Sequence, residues 1–268
     1  MRAALTIAGF DPSSGAGVTA DLMVFAAHGL FGTSTITALT IQSTTGVRSI
    51  QPVEARIVRE TLDCLHADLQ PSGIKIGILA NGAIVEAVAR YLEDIKGDEP
   101  NIPVVVDPVI RSSSGRELLS VEGLELLKDR LLPLATWITP NLAELSALTG
   151  LPAERREDLE PAARALQDLH PNLSVLVTGG HLDRPDDLLL AEGGELHWLR
   201  GERVESTSTH GTGCALSSAL LCRLVRGDAP LVAANGAKRY VAEGIRRAIP
   251  VGHGHGPLNH LWPLRSNE

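Results

Sequence analysis

Basic residues are in short supply: 24 Lys and Arg stand against 32 Asp and Glu, a formal net charge of −8. Without a basic excess the chain is unsuited to broad binding of nucleic acid or of an anionic membrane surface. Any phosphate must be held locally, by backbone N–H groups, a metal ion or a few side chains. Cysteine is scarce too. Cys64, Cys214 and Cys222 cannot all pair and show no disulfide framework, so a reducing cytoplasm is the expected setting. The N-terminal "MRAALTIAGFDPSSG" meets Asp11 and Pro12 too soon to read as a signal peptide or a membrane span. No Walker A pattern occurs, which excludes a P-loop. Linkers, low-complexity tracts and internal repeats are also lacking, so residues 1–268 are read as a single domain.

What is present is a regular alternation. The hydrophobic share of 44% and the charged share of 21% suit a globular protein with a substantial core. Strands are expected at Ala3–Gly9, Ser34–Gln42, Gly73–Leu79, Ile102–Val109, in "TWITPN" and in "SVLVTGG". Helices are expected at Gly17–His28, around Val53–Leu69, through Ile84–Ile95, after "TPN" and at Glu157–Leu169. "DLLLA" and "ELHWLR" flank Gly193 and Gly194 and read as an edge hairpin over Asp187–Arg200. Such an order predicts an α/β fold whose mostly parallel sheet is covered on both faces, with ligands beyond the carboxyl ends of the strands.

The motifs lie at those ends. "GAGVTA" at Gly15–Ala20 fits a dinucleotide pattern, but it follows the strand too late and lacks a ribose-binding acid after the next strand. In "HGTGC", His210–Cys214, two glycines free the backbone to turn its N–H groups inward, and the following helix adds its positive end. A thiol at that position is expected to have a lowered pKa and to act as a base or orienting group; a small residue filling a crowded helix start is the plainer alternative. Asn141 and Glu144 in "TPNLAEL" are either a helix cap or a water-mediated Mg²⁺ site. Asp107, after three valines, is either turned outward or placed at an active-site edge. Asp21 and Gln42 form a candidate substrate pair, since the amide of Gln42 offers an adjacent donor and acceptor that match an aminopyrimidine edge. "GHGHGPLNH" brings three histidines together and reads as a glycine-rich turn, with a metal site as the alternative.

The blocks "ALTIAGFDPSSGAGVTADLMVF", "ITALTIQSTTGV", "KIGIL", "VVVDPV", "LLPLATWITPNLAEL", "GGHL", "THGTGC" and "GHGPLNHL" run in order from Leu5 to about Leu261. Together they resemble the hydroxymethylpyrimidine and hydroxymethylpyrimidine-phosphate kinases of thiamine biosynthesis, members of the ribokinase-like superfamily. The resemblance implies a three-layer ribokinase-like fold and a homodimer. It implies a pyrimidine pocket of Gly9, Asp21 and Gln42 with Ile78 and Val109 as apolar walls, and an anion hole of Gly211, Thr212 and Gly213 beside catalytic Cys214. It further implies Asn141, Thr178, Gly180 and His210 near ATP, and Asp107 with Glu144 near Mg²⁺.

The chain departs from that pattern in places. Thr178 and Ser113 stand where the family has lysines, with Arg111 a possible replacement; Phe10 replaces a small polar residue, and Ser14 and Ser43 replace Gly and Asn. The expected activity is ATP- and Mg²⁺-dependent phosphorylation of 4-amino-5-hydroxymethyl-2-methylpyrimidine and of its monophosphate. A pyridoxal kinase and a non-catalytic pyrimidine binder are the alternatives.

Overall fold

Short apolar strands are buried on both faces here because helices flank the sheet on each side, and this sets the architecture. The structure, a computed structural model, describes residues 1–112 and 115–265. In chain order it contains β1 (Ala3–Phe10), α1 (Gly17–Ala27), β2 (Phe31–Ser43), β3 (Gly46–Pro52), α2 (Ala55–Asp68), β4 (Ile74–Ile76) and α3 (Gly82–Asp98). There follow β5 (Val104–Val106), α4 (Val121–Leu126), β6 (Trp137–Ile138), α5 (Leu142–Thr149), α6 (Arg156–Leu169), β7 (Ser174–Val177), β8 (Asp187–Leu190), β9 (Leu196–Leu199), α7 (Thr212–Arg226) and α8 (Pro230–Arg246). One sheet has the order β3-β2-β1-β4-β5-β6-β7-β8-β9. Its six inner strands, β2 to β7 in that order, are parallel, while β3 at one edge and β8 and β9 at the other are antiparallel.

Side chains alternate across the sheet with a period of two. Leu5, Ile7, Ile74, Ile76, Val104 and Val106 face one core with helices α2, α3, α5 and α6. Ala4, Val105 and Leu176 face the other, filled by Val24 and Phe25 of α1, Leu216 and Leu220 of α7, and Ala233 and Ala237 of α8. The alternation leaves Thr6 and Lys75 on the α1 and α7 side, where both meet Asp21 of α1.

The expected strands and helices are all found, some longer and some shorter than expected by a few residues. The strand β3, the helix α4 and the helix α8 were not anticipated. β3 carries no buried residue along its length, so its sequence has no apolar alternation to display. Ser113 lies outside the described residues. Among the described residues no helix is long and apolar enough to cross a membrane.

Candidate active site

The glycine turn before α7 meets the loop after β1 backbone to backbone. Gly211, at φ 79°, is the N-cap of α7, and a Cβ on it would lie 1.8 Å from the carbonyl oxygen of Gly15. Only glycine fits both that dihedral and that contact. No side chain caps α7, so the amides of its first turn, Thr212, Gly213 and Cys214, stay available to an anion. The loop after β1 is itself built on Asp11, whose carboxylate accepts from Ser13 N–H (2.9 Å), Ser13 Oγ–H (2.7 Å), Ala16 N–H (3.0 Å) and the His210 ring (2.7 Å). Ser14, which stands where the resembling family has Gly, sits in this loop at φ 59° and carries the strain of a left-handed non-glycine residue.

His210 reaches Gln42 as well, with its Nε2 2.9 Å from the Gln42 amide. The resemblance implies His210 near ATP; in this structure its ring is engaged by Asp11 and Gln42. Gly9 and Ile78 are neighbours, a Cβ on Gly9 lying 3.3 Å from Ile78 Cδ1, so the half-buried Ile78 forms a wall there. Val109 is half-buried just beyond Asp107 and donates its N–H to the Asp107 carbonyl at 2.8 Å.

Beneath the α7 turn lies a buried charge cluster. Lys75 is fully enclosed and donates to Asp21 at 2.9 Å; Asp21 also accepts from Thr6 at 2.6 Å and Ser218 at 2.7 Å. These bonds join β1, β4, α1 and α7. They also correct one expectation: Asp21, 0% exposed, is not a surface of the pocket but the counter-ion of a lysine below it. Burial alone would lower the Lys75 pKa, but the negative surroundings, above all Asp21 and its hydrogen bond, outweigh it and hold the ammonium firmly protonated.

Asp107 follows β5 on this same side. Its carboxylate accepts from Ser217 at 3.3 Å and from the Cys214 thiol, and it lies just under 4 Å from where a Cβ on Gly213 would be. Burial raises its pKa; Lys75 and these hydrogen bonds work against that, and Asp21 adds to it. The Cys214 sulfur accepts from the Gly17 N–H. The expected lowering of the thiol pKa is reversed: burial pushes it up to about 12, with Asp107 and Asp21 adding to the effect of burial and Lys75 only partly offsetting it. The positive end of α7 is present, but two carboxylates share the thiol's surroundings.

Asn141 and Glu144 realise the structural alternative in full. Asn141 caps α5 by accepting from Glu144 N–H at 3.0 Å, and Glu144 accepts from Asn141 N–H at 2.9 Å, a reciprocal capping box. Glu144 is nonetheless buried beside Asp107. Burial, then repulsion from Asp107, raises its pKa to about 8, against hydrogen bonds from Asn141 and from the Ile110 backbone. Thr178 pairs alongside Asn141, donating its N–H to the Pro140 carbonyl at 2.9 Å, and the space around Gly180 is open. Among the described residues no group of three or more His, Cys, Asp or Glu could hold a metal ion, and the histidine-rich turn at His253–His260 forms no such site.

This combination of an uncapped glycine turn, a helix-terminal cysteine and paired carboxylates at the strand ends can be set against known proteins. The family model described as phosphomethylpyrimidine kinase matches residues 11–259. The chain belongs to that family. A hydroxymethylpyrimidine/phosphomethylpyrimidine kinase of Streptomyces coelicolor is 40% identical over 97% of this chain and 94% of its own. Among solved structures, a phosphomethylpyrimidine kinase of Clostridium difficile superposes with a TM-score of 0.79 at 34% identity, over 91% of this chain and 100% of that one. A pyridoxal kinase of Bacillus subtilis in complex with ADP superposes with a TM-score of 0.87 at 30% identity, over the whole of both chains. The likeness extends to the three-layer, ribokinase-like architecture of these kinases.

In this phosphomethylpyrimidine kinase family member the structure brings Asp107, Glu144, Gly213 and Cys214 together, and separately Gln42, His210 and Asp11. Two residues of the site escaped the sequence reading. Lys75 had a signal: a lysine inside a strand buried on both faces must meet a carboxylate. Asp11 had a weaker one, an acid opening a turn before two serines.

Proposed function

We propose that the chain transfers the γ-phosphoryl group of ATP to the hydroxymethyl oxygen of 4-amino-5-hydroxymethyl-2-methylpyrimidine, and then phosphorylates the resulting monophosphate. The observation that carries this reading is Cys214, in the first turn of α7, bonded to Asp107 beside free backbone amides. Those amides would hold the phosphoryl oxygens as charge spreads over them, so catalysis rests on positioning and electrostatics. In the first transfer the hydroxyl oxygen attacks the γ-phosphorus, the bond to the β,γ-bridging oxygen breaks and ADP leaves; the hydroxyl proton passes to Cys214 Sγ, while the thiol proton passes to Asp107. The second transfer, to a phosphate oxygen, needs no such proton acceptor.

Asp107 and Glu144 fit a divalent cation, because both carboxylates are penalised by burial and Glu144 by its neighbour's charge as well. They would hold Mg²⁺ through water, and the ion would neutralise charge on the phosphates. Gln42, Gly9, Ile78 and Val109 would shape the pyrimidine pocket. Asn141, Thr178 and Gly180 would face ATP. A cytoplasmic homodimer is part of this reading, with the projecting end of β2, where Leu39 and Ile41 are 48% and 61% exposed, as the contact surface.

The likeness to pyridoxal kinase supports one rival substrate. ADP release with Mg·ATP should therefore be measured against the hydroxymethylpyrimidine, its monophosphate and pyridoxal. Turnover of both pyrimidines is expected. Turnover of pyridoxal alone would move the assignment to that vitamer, and silence on all three would leave a binding protein.

A further inference from the structure

His210 is held too firmly for a loop residue without a task. Its ring fills the space above Gly15, where a Cβ would come within 2.1 Å of His210 Cδ2, and Nε2 lies 2.7 Å from Asp11 Oδ2. That oxygen already accepts the Ala16 N–H, and its carboxyl is kept below the usual range: burial raises it, but hydrogen bonds from His210 and Ser13 more than offset this. Asp11 is therefore a carboxylate and can only accept.

The position of a proton follows. Nε2 must carry a hydrogen, because a bare lone pair 2.7 Å from a carboxylate oxygen would be strongly repelled. The Gln42 amide stands with its nitrogen 2.9 Å from the same Nε2, so as it stands two N–H groups confront each other. Rotation of the amide by half a turn removes the conflict and sets Oε1 against the ring, where the Nε2 hydrogen is shared between Oδ2 and Oε1. The amide nitrogen then has both hydrogens directed away from His210, and Oε1 keeps a lone pair.

We propose that His210, anchored by Asp11, fixes the rotamer of the Gln42 amide and so selects substrates by the order of donor and acceptor on their ring edge. This rests on the pyrimidine-kinase reading above. With Oε1 pinned, Gln42 accepts from an exocyclic amine and donates to the adjacent ring nitrogen. An analogue with a 4-oxo group and a ring N–H presents the reverse order and meets like against like. His210 is a positioning residue in this scheme: it acts through Gln42.

The test compares kcat/KM for the 4-amino alcohol and for its 4-oxo counterpart. In a His210→Leu variant the amide is free to turn, and the preference for the amine should shrink by about 10-fold or more, the worth of one mis-set hydrogen-bond pair. His210→Gln, whose terminal N–H reaches the same place as Nε2, should restore the preference. In a Gln42→Leu background His210→Leu should leave the ratio unchanged. A His210→Leu variant that raises the KM for ATP and keeps the ratio would overturn the inference and return the residue to the nucleotide. Nitrogen NMR of the wild-type protein tests the same point without a variant: Nε2 of His210 must be protonated, and an Nδ1-only tautomer refutes the proposal. Should neither alcohol be phosphorylated, the kinase reading fails, and the NMR result still decides the hydrogen-bond order.

Discussion

A single lysine explains much of the site at the scale of residues. Lys75 stands between Ile74 and Ile76 in β4 and donates to Asp21, on which Thr6 and Ser218 also converge. A buried pair of this kind stabilises little in itself, but breaking it strands a charge. Lys75→Met should therefore cost about 3–5 kcal/mol in urea unfolding. The double variant Lys75→Met, Asp21→Leu should recover most of that loss, and a double variant as unstable as the single one would show that packing, not charge, is at stake. The same cluster controls Cys214. With its pKa pushed up to about 12 the thiol is neutral at pH 7.5, so iodoacetamide should label exposed Cys64 well before Cys214. Mass spectrometry showing Cys214 labelled first would mean a thiolate and would remove Asp107 as proton acceptor.

Elements set which pairs of residues meet. The capping box of α5 fixes Glu144 beside Asp107, although neither helix nor strand requires a second acid there. Glu144 has a folded pKa of about 8, above its ordinary value of 4.5, so the unfolded chain binds fewer protons between those values. The stability it contributes is present below pH 4.5 and is lost as pH rises toward 8, at ~1.4 kcal/mol per pH unit at most. Denaturation at several pH values should show this slope without Mg²⁺. It should flatten in Glu144→Gln and on adding Mg·ATP, which prefers the ionised pair; a slope unaffected by either would separate Glu144 from the metal. A second element-level expectation concerns the segment after β5. A cleft of about 750 Å³ opens between it and the turn joining β2 to β3, with Arg48, Arg111 and Arg116 on its walls. Arg111 pairs with Glu117 at 3.4 Å, both well exposed, and such a pair is worth little. Arg111 is free to turn to a phosphate in place of the lysines the family has. Arg111→Ala should raise KM for the monophosphate about 10-fold and change that for the alcohol much less. Equal effects on both substrates would place the arginine elsewhere.

For the whole molecule, the projecting end of β2 leaves Leu39 and Ile41 open beside the antiparallel edge strand β3. Two-fold pairing of this patch is the contact expected of the proposed homodimer, and in sedimentation velocity Ile41→Asp should convert that dimer to a monomer. An unchanged dimer would move the interface off β2. The alternating elements and parallel sheet were legible in the sequence because buried strands and amphipathic helices carry their periods in local residue order. So was the glycine turn before α7, because Gly211 takes a left-handed dihedral against the Gly15 carbonyl that only glycine fits, and the family blocks lie in linear order. Three things were decided only in space. Asp21 became a lysine's counter-ion because β4 brings Lys75 across from α1. The thiol of Cys214 rose in pKa because packing buries it, and carboxylates on α1 and after β5 add to that, at a helix start that alone would have lowered it. His210 turned to Gln42, 168 positions away. Local order records what a segment can form, whereas the charge and hydrogen-bond partners of a side chain are set by segments remote in the chain, and only their packing brings them within reach.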